Sequence, residues 1–284
     1  MIIHKPTTLE EAARLLAADD DAQCIAGGAT LVAMMNSGVV EPRTLISLGG
    51  IDGLNAITGA TDRTVTIGAT AKHSTVAAHD AFTGAQSIVG LAAGKIAHPP
   101  IRNMGTIGGS LAVADPATDY PTALLAAGAA FDVVGPDGSR TIAVDDFFTG
   151  FLSTALATGE LIRSVELPAG PENAVAVYDK ISKIDGDIAI LSVAVVMVMA
   201  DGRCSYLRIA VGGCGPTPFR SPQAEEELIG SELSGTDLDI AADLTVAASD
   251  PMNDVRATAD YRRRVLPGVV RRALGFARQL TEDE

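Results

Sequence analysis

The chain has 284 residues, 47% of them hydrophobic and 20% charged, which is enough apolar side chain to build a sizeable core in roughly one to three domains. Its 35 acidic and 21 basic side chains leave a formal net charge of −14. That balance argues against a broad nucleic-acid or anionic-membrane surface, either of which needs a positive footprint. The longest apolar run, Ile188 to Ala200, is shorter than the ~20 residues that span a bilayer and lies between Asp187 and Asp201. No membrane span is expected, and the opening Met1-Ile2-Ile3-His4-Lys5-Pro6 lacks a signal-like apolar region, so a cytoplasmic protein is expected.

Thr7 and Thr8 each precede a glutamate, Glu10 and Glu11, by three positions, a doubled capping-box signal for a helix over 8–18. Gln23 to Ala26 reads as a buried strand that stops at Gly27-Gly28, Thr30 to Met35 as a helix, and Thr44 to Leu48 as a strand. Alternation marks a strand in Thr64–Thr70, and small residues mark a buried helix over Ser87–Ile96. His98-Pro99-Pro100 cannot continue that helix, and Gly105, Gly108 and Gly109 would free the loop that follows to take angles closed to other residues. Pro121–Gly128 reads as a helix, and Ala130–Val134 with Arg140–Val144 as a hairpin around Gly135-Pro136-Asp137-Gly138. A strand Leu161–Leu167 ends in the breaker cluster Pro168-Ala169-Gly170-Pro171, which suggests a boundary near 170. Strands Val175–Lys183, Ile190–Met199 and Arg203–Val211 follow, the last two joined by the hairpin signal Asp201-Gly202. From about Gln223 to Leu280 the pattern is helical, with a bend expected near Pro267.

Two glycine pairs carry the chemistry: Ala26-Gly27-Gly28-Ala29-Thr30 between strand and helix, and Thr106-Ile107-Gly108-Gly109-Ser110 after the proline turn. Glycine lets backbone approach an anion, a helix N-terminus supplies unpaired N–H donors, and Thr30 or Ser110 adds a hydroxyl. One such pair is ordinarily a tight turn; two in different parts of the chain suggest a ligand that bridges them, such as a dinucleotide. Cys24, Cys204 and Cys214 have no metal-site spacing and read as buried thiols, so any iron–sulfur chemistry belongs to another chain. His4, His73, His79 and His98 likewise read as surface or core residues. Arg262-Arg263-Arg264 and Arg271-Arg272 read as solvated or ion-paired arginines, the alternative being a docking edge for a partner.

The stretches AGGATLVAMMNSG, HPPIRNMGTIGGSLAVADPATDYPTALLAAGA, RIAVGGCGPTPFR and DVRATADYRRRVLPGVVRRAL resemble the FAD-binding medium chains of molybdenum hydroxylases, the carbon-monoxide-dehydrogenase and xanthine-dehydrogenase family. The resemblance covers essentially the whole chain. It implies an α+β fold: a two-subdomain FAD-binding domain of the vanillyl-alcohol-oxidase (PCMH-like) type over 1–170, with subdomains of about 1–55 and 56–170. A smaller C-terminal domain with an antiparallel sheet and helices would follow over 171–284. It further implies FAD in this chain, [2Fe–2S] clusters in a small partner, a molybdenum cofactor in a large partner, a dimer of heterotrimers, and NAD or another electron acceptor.

By position in the motif, Ile25, Ala26, Gly27, Gly28, Ala29 and Thr30 inherit contacts to the FAD pyrophosphate, as do Thr106, Ile107, Gly108, Gly109 and Ser110. Asp119 matches the carboxylate that binds the flavin's sugar-like chain; read alone, it is an acid favoured at a helix N-terminus. Ile162 matches a position whose backbone lies near the isoalloxazine ring, and Lys180 a lysine that reaches the flavin; read alone, Lys180 is a solvated strand residue. The family often has histidine or glutamine at Ala29, serine at Thr30, a basic residue at Met104, arginine at Lys183, and an aromatic within Gly186-Asp187-Ile188-Ala189. Two rival functions are a stand-alone FAD-dependent oxidase or reductase, and a non-catalytic FAD-binding interaction subunit.

Overall fold

The computed structural model describes residues 1–171 and 173–282. The first helix is Leu9–Ala17, capped by Thr8, whose hydroxyl accepts from the Glu11 N–H at 3.2 Å. The Glu11 carboxylate accepts from the Thr7 N–H at 3.0 Å rather than from that of the N-cap Thr8, so the expected cap forms at Thr8 but neither expected box closes in full. Strands Ile2–His4 and Ala22–Ile25 flank Thr44–Ser47 in a three-stranded parallel sheet. The strand Ile2–His4 has no sequence signal: Ile2 and Ile3 are exposed, and its pairing with Thr44–Ile46 is non-local.

A five-stranded antiparallel sheet follows in the order Ile57–Gly59, Val65–Gly68, Leu161–Leu167, Ala130–Gly135, Gly138–Ala143. Its hairpin turns at Pro136-Asp137, with Gly135 paired to Gly138. The central strand, Leu161–Leu167, comes from far along the chain and ties the earlier segments together, pairing Val165 with both Ile67 and Phe131.

The third sheet is antiparallel, in the order Val175–Ile181, Leu191–Ala200, Arg203–Gly212, Phe219–Arg220. Asp201 (φ 51°) and Gly202 (φ 74°) form its hairpin turn, as that dipeptide predicts. Successive side chains point to opposite faces. Val175, Val177, Val193 and Val195 therefore pack on the C-terminal helices, whereas Ala176, Tyr178, Ala194 and Val196 join the core of the preceding sheet. Both faces being covered, residues Leu191–Met197 are buried without a break, and the longest apolar run of the chain is a strand. Among the described residues no helix is long and apolar enough to cross a membrane.

The helix Asp119–Ala127 is buried along nearly its whole length and lies on this sheet. Thr122 Oγ1 and Ser192 Oγ meet at 3.2 Å, and a Cβ on Gly212 would stand 2.1 Å from Thr122 Oγ1, so only glycine admits the helix this close. The helical C-terminus divides into Pro222–Leu228, Gly235–Ala247 and Ala259–Glu282, the last running through Pro267. Residues 248–258 between the last two helices are irregular, a segment for which the sequence suggested helix.

Candidate functional site

The strand Ala22–Ile25 delivers the chain to Gly27-Gly28, and the helix Ala29–Asn36 begins immediately after. Gly28 is the N-cap in the left-handed region (φ 73°), and no side chain caps the helix. The N–H groups of Gly27, Gly28, Ala29 and Thr30 meet no acceptor among the described residues, so unpaired donors lie at the positive end of the helix dipole. A Cβ on Gly27 would lie 1.9 Å from the Met104 carbonyl oxygen and 3.0 Å from Gly105 Cα. The two glycine loops, distant in sequence, thus touch through backbone.

The second loop departs from expectation. Pro99 and Pro100 open a short helix, Pro99–Arg102, where proline's missing N–H costs nothing. Gly108 and Gly109 are not in a loop of unusual angles but in the first turn of the helix Ile107–Val113, and neither has positive φ. Space explains them instead: a Cβ on Gly108 would stand 2.7 Å from Ala69 Cβ and 2.8 Å from its carbonyl oxygen. The N–H groups of Ile107 and Gly108 are already given to the carbonyls of Ala71 and Ala69, and Gly109 N–H bonds Thr106 Oγ1 at 3.2 Å. This loop therefore offers a ligand the exposed face of Gly109 and the Ser110 hydroxyl rather than a ring of free amides.

Asp119 and Lys180, 61 positions apart, meet. Lys180 Nζ lies 3.0 Å from Asp119 Oδ1 and 3.1 Å from Oδ2, the two side chains being 5% and 6% exposed. Tyr178 donates to Asp119 Oδ1 at 2.9 Å, and Lys180 also donates to the Lys95 carbonyl at 3.0 Å. Tyr178 and Lys180 share the strand face that looks at Asp119; Asp179 between them faces the last helix and pairs with Arg272 at 2.6 Å. Burial raises the Asp119 carboxyl above its ordinary range, with Lys180 and Tyr178 opposing the rise, while burial and the Asp119 charge push the Tyr178 hydroxyl up.

His73, which reads from the sequence as a surface or core histidine, is buried and joins this pair to the loops. Its Nδ1 lies 3.2 Å from the Tyr120 hydroxyl, next in the chain to Asp119, and a Cβ on Gly105 would fall 2.6 Å from its Nε2. Burial, then the Arg102 charge, holds the imidazole down at about 4, so it is neutral at physiological pH. Contacts run from Gly27 through Gly105 and His73 to Tyr120, whose chain neighbour Asp119 holds Lys180. Ile162 is reached through its neighbour Arg163, whose carbonyl accepts from the N–H of Ala69, the residue against Gly108. Its own side chain is core, opposite Val133. Of the arginines, Arg262 is buried, while Arg263, Arg271 and Arg272 pair with Asp260, Asp239 and Asp179. Cys204 and Cys214 are buried and Cys24 is partly buried.

Two family models match this chain, the FAD binding domain in molybdopterin dehydrogenase over residues 1–170 and the CO dehydrogenase flavoprotein C-terminal domain over 176–277. The nicotine 6-hydroxylase medium subunit of Paenarthrobacter nicotinovorans is 36% identical over 95% of this chain and 94% of its own length. The 6-hydroxypseudooxynicotine dehydrogenase complex subunit alpha of the same organism is 38% identical over 95% and 92%. A carbon monoxide dehydrogenase structure from Hydrogenophaga pseudoflava, one that lacks the Mo-pyranopterin moiety of its molybdenum cofactor, superposes with a TM-score of 0.93 at 34% identity over 98% of each chain. Matched along nearly its whole length by these models and relatives, the chain belongs to the FAD-binding medium subunits of the molybdenum hydroxylases, an oxidoreductase family.

Proposed function

We propose that this chain relays electrons within a molybdenum hydroxylase. It takes them from a small [2Fe–2S] subunit and passes them to NAD or another acceptor, in a cytoplasmic assembly with a large molybdopterin subunit built as a dimer of heterotrimers. The observation that carries the reading is that the open amides beside Gly27 and the buried Asp119–Lys180 pair are linked through Gly105, His73 and Tyr120, the chain neighbour of Asp119. The residues fit FAD: a row of unpaired amides at a helix N-terminus suits a pyrophosphate, and a carboxylate beside a lysine suits a polyol next to an electron-rich ring.

In this reading Ile25 to Thr30 bind the pyrophosphate mainly through backbone N–H groups, which replace the polar side chain absent at Ala29. Thr106 to Ser110 close the other side with the Gly109 face and the Ser110 hydroxyl. Asp119 accepts from the hydroxyls of the sugar-like chain, the Ile162 backbone borders the ring, and Lys180 places a cation near it. Bound there, FAD supplies two-electron redox chemistry at its isoalloxazine ring, and a nearby cation favours the reduced form. Residues 1–170 would form the cofactor domain, in subdomains of about 1–55 and 56–170, and 171–284 the smaller domain. The named relatives act on different molecules, so substrate choice belongs to the large subunit.

The test mixes the FAD-loaded chain anaerobically with its prereduced co-purifying partner chains. Loss of oxidised-flavin absorbance supports the relay. Flavin that stays oxidised, or a chain that turns over substrates without partners, contradicts it.

A further inference from the structure

The irregular segment 248–258 makes polar contacts with both approaches to the Asp119–Lys180 pair. Arg256 donates through one terminal nitrogen to Asp115 Oδ2 at 3.0 Å and through the other to Asp254 Oδ2 at 2.9 Å. Asp115 in turn builds the turn that leads to Asp119. Its Oδ1 accepts from Ala117 N–H at 2.9 Å, and its carbonyl accepts from the N–H and hydroxyl of Thr118 at 3.0 and 2.7 Å. Asp254 accepts from the buried Arg262 at 2.7 Å, and Arg262 also donates to the carbonyls of Ile190 and Gly213. On the other side, Lys183 Nζ, three residues past Lys180, donates to the Val255 carbonyl at 3.2 Å.

From this juxtaposition we propose that Arg256 is a positioning residue for the cofactor site: bridging Asp254 and Asp115, it straps the turn 115–118 to the C-terminal domain and so fixes Asp119 against Lys180. The idea rests on the assignment of Asp119 to the cofactor. A guanidinium suits the task because its planar fork serves two carboxylates at once, which an ammonium on a flexible stem does not. At 26% exposed, the Arg256 side chain is partly shielded, as is that of Asp115 at 14%. Among the described residues none of these groups is hydrogen-bonded to either glycine loop; the same turn is also held through backbone, Gly213 N–H on the Pro116 carbonyl at 2.9 Å and Ala189 N–H on that of Ala117 at 3.3 Å, and Arg256 adds the side-chain tie.

The experiment measures FAD affinity by fluorescence quenching, and the midpoint potential of the bound flavin, for the full chain and its Arg256→Ala, Arg256→Lys, Asp115→Asn and Asp119→Asn variants. All are measured well below their unfolding temperatures. Arg256→Ala should bind FAD about tenfold more weakly, in the range of coupling within one ion-pair network, with an altered potential. Arg256→Lys should recover part of the loss, and Arg256→Ala with Asp115→Asn should be no worse than either alone. If Asp119→Asn weakens FAD and Arg256→Ala lowers only the unfolding temperature, the strap is structural and the proposal fails. If Asp119→Asn leaves affinity and potential unchanged, the cofactor assignment of Asp119 fails and the strap proposal with it.

Discussion

Lys180→Met keeps the volume of the side chain and removes its charge, leaving Asp119 buried with the Tyr178 hydroxyl as its remaining side-chain partner. Breaking a buried pair costs about 3–5 kcal/mol because a charge is left uncompensated, and the lower end applies here since Asp119 can escape by taking a proton. With an unfolding entropy of about 2 cal/mol/K per residue, a loss of about 3 kcal/mol in a chain this long lowers the midpoint by about 5 °C. The loss should depend on pH. Burial already raises Asp119 above 3.8, and without Lys180 the carboxyl rises further. A carboxyl with a higher pKa folded than unfolded costs nothing below its unfolded pKa, and the cost grows as pH climbs towards the folded value. The gap between wild type and Lys180→Met should therefore be widest at neutral and alkaline pH and narrow in acid. Differential scanning calorimetry of the two proteins across pH gives the answer. An unchanged midpoint at neutral pH, or a gap that widens in acid, would refute the reasoning.

Gly27→Ala places a methyl where the Met104 carbonyl stands, and because both sides of the contact are backbone the loops must separate. Flavin content of the purified protein should fall sharply, with a stability loss of about 1–3 kcal/mol. Gly109→Ala should cost far less stability, because its nearest obstacle is the Thr106 hydroxyl at 3.0 Å, yet it should still lower flavin content, because the methyl stands on the face offered to the cofactor; undiminished flavin in the folded variant would contradict the account. Burial pushes the thiols of Cys24 and Cys214 up to about 12 and that of Cys204 to about 11. A thiol reagent at mildly alkaline pH should find none of the three in the folded chain and all three in denaturant.

Much of this fold is legible where local chemistry decides it. The Thr8 cap, the Asp201-Gly202 turn and the alternation around Val65 and Ile67 each act over a few residues, and each forms as its chemistry requires. The glycine pairs stand out as special backbone positions, though partly for the wrong reason. Gly28 needs its left-handed angle, but Gly108 needs room against Ala69, a neighbour that only the fold supplies. Tyr178, His73 and Arg256 carry no signal of their own, since their meaning lies in partners 59, 47 and 141 residues away. The split of the C-terminal helical region has one local cause, Pro251, which cannot continue the helix that ends at Ala247, and one distant cause, the ion pair that Arg256 makes with Asp115.

The most direct measurement is the visible absorption spectrum of this chain purified with its native partner chains, followed by acid release and identification of the flavin. The account predicts noncovalent FAD, one per chain, together with iron–sulfur absorbance from the partner. An intact assembly without flavin would contradict it.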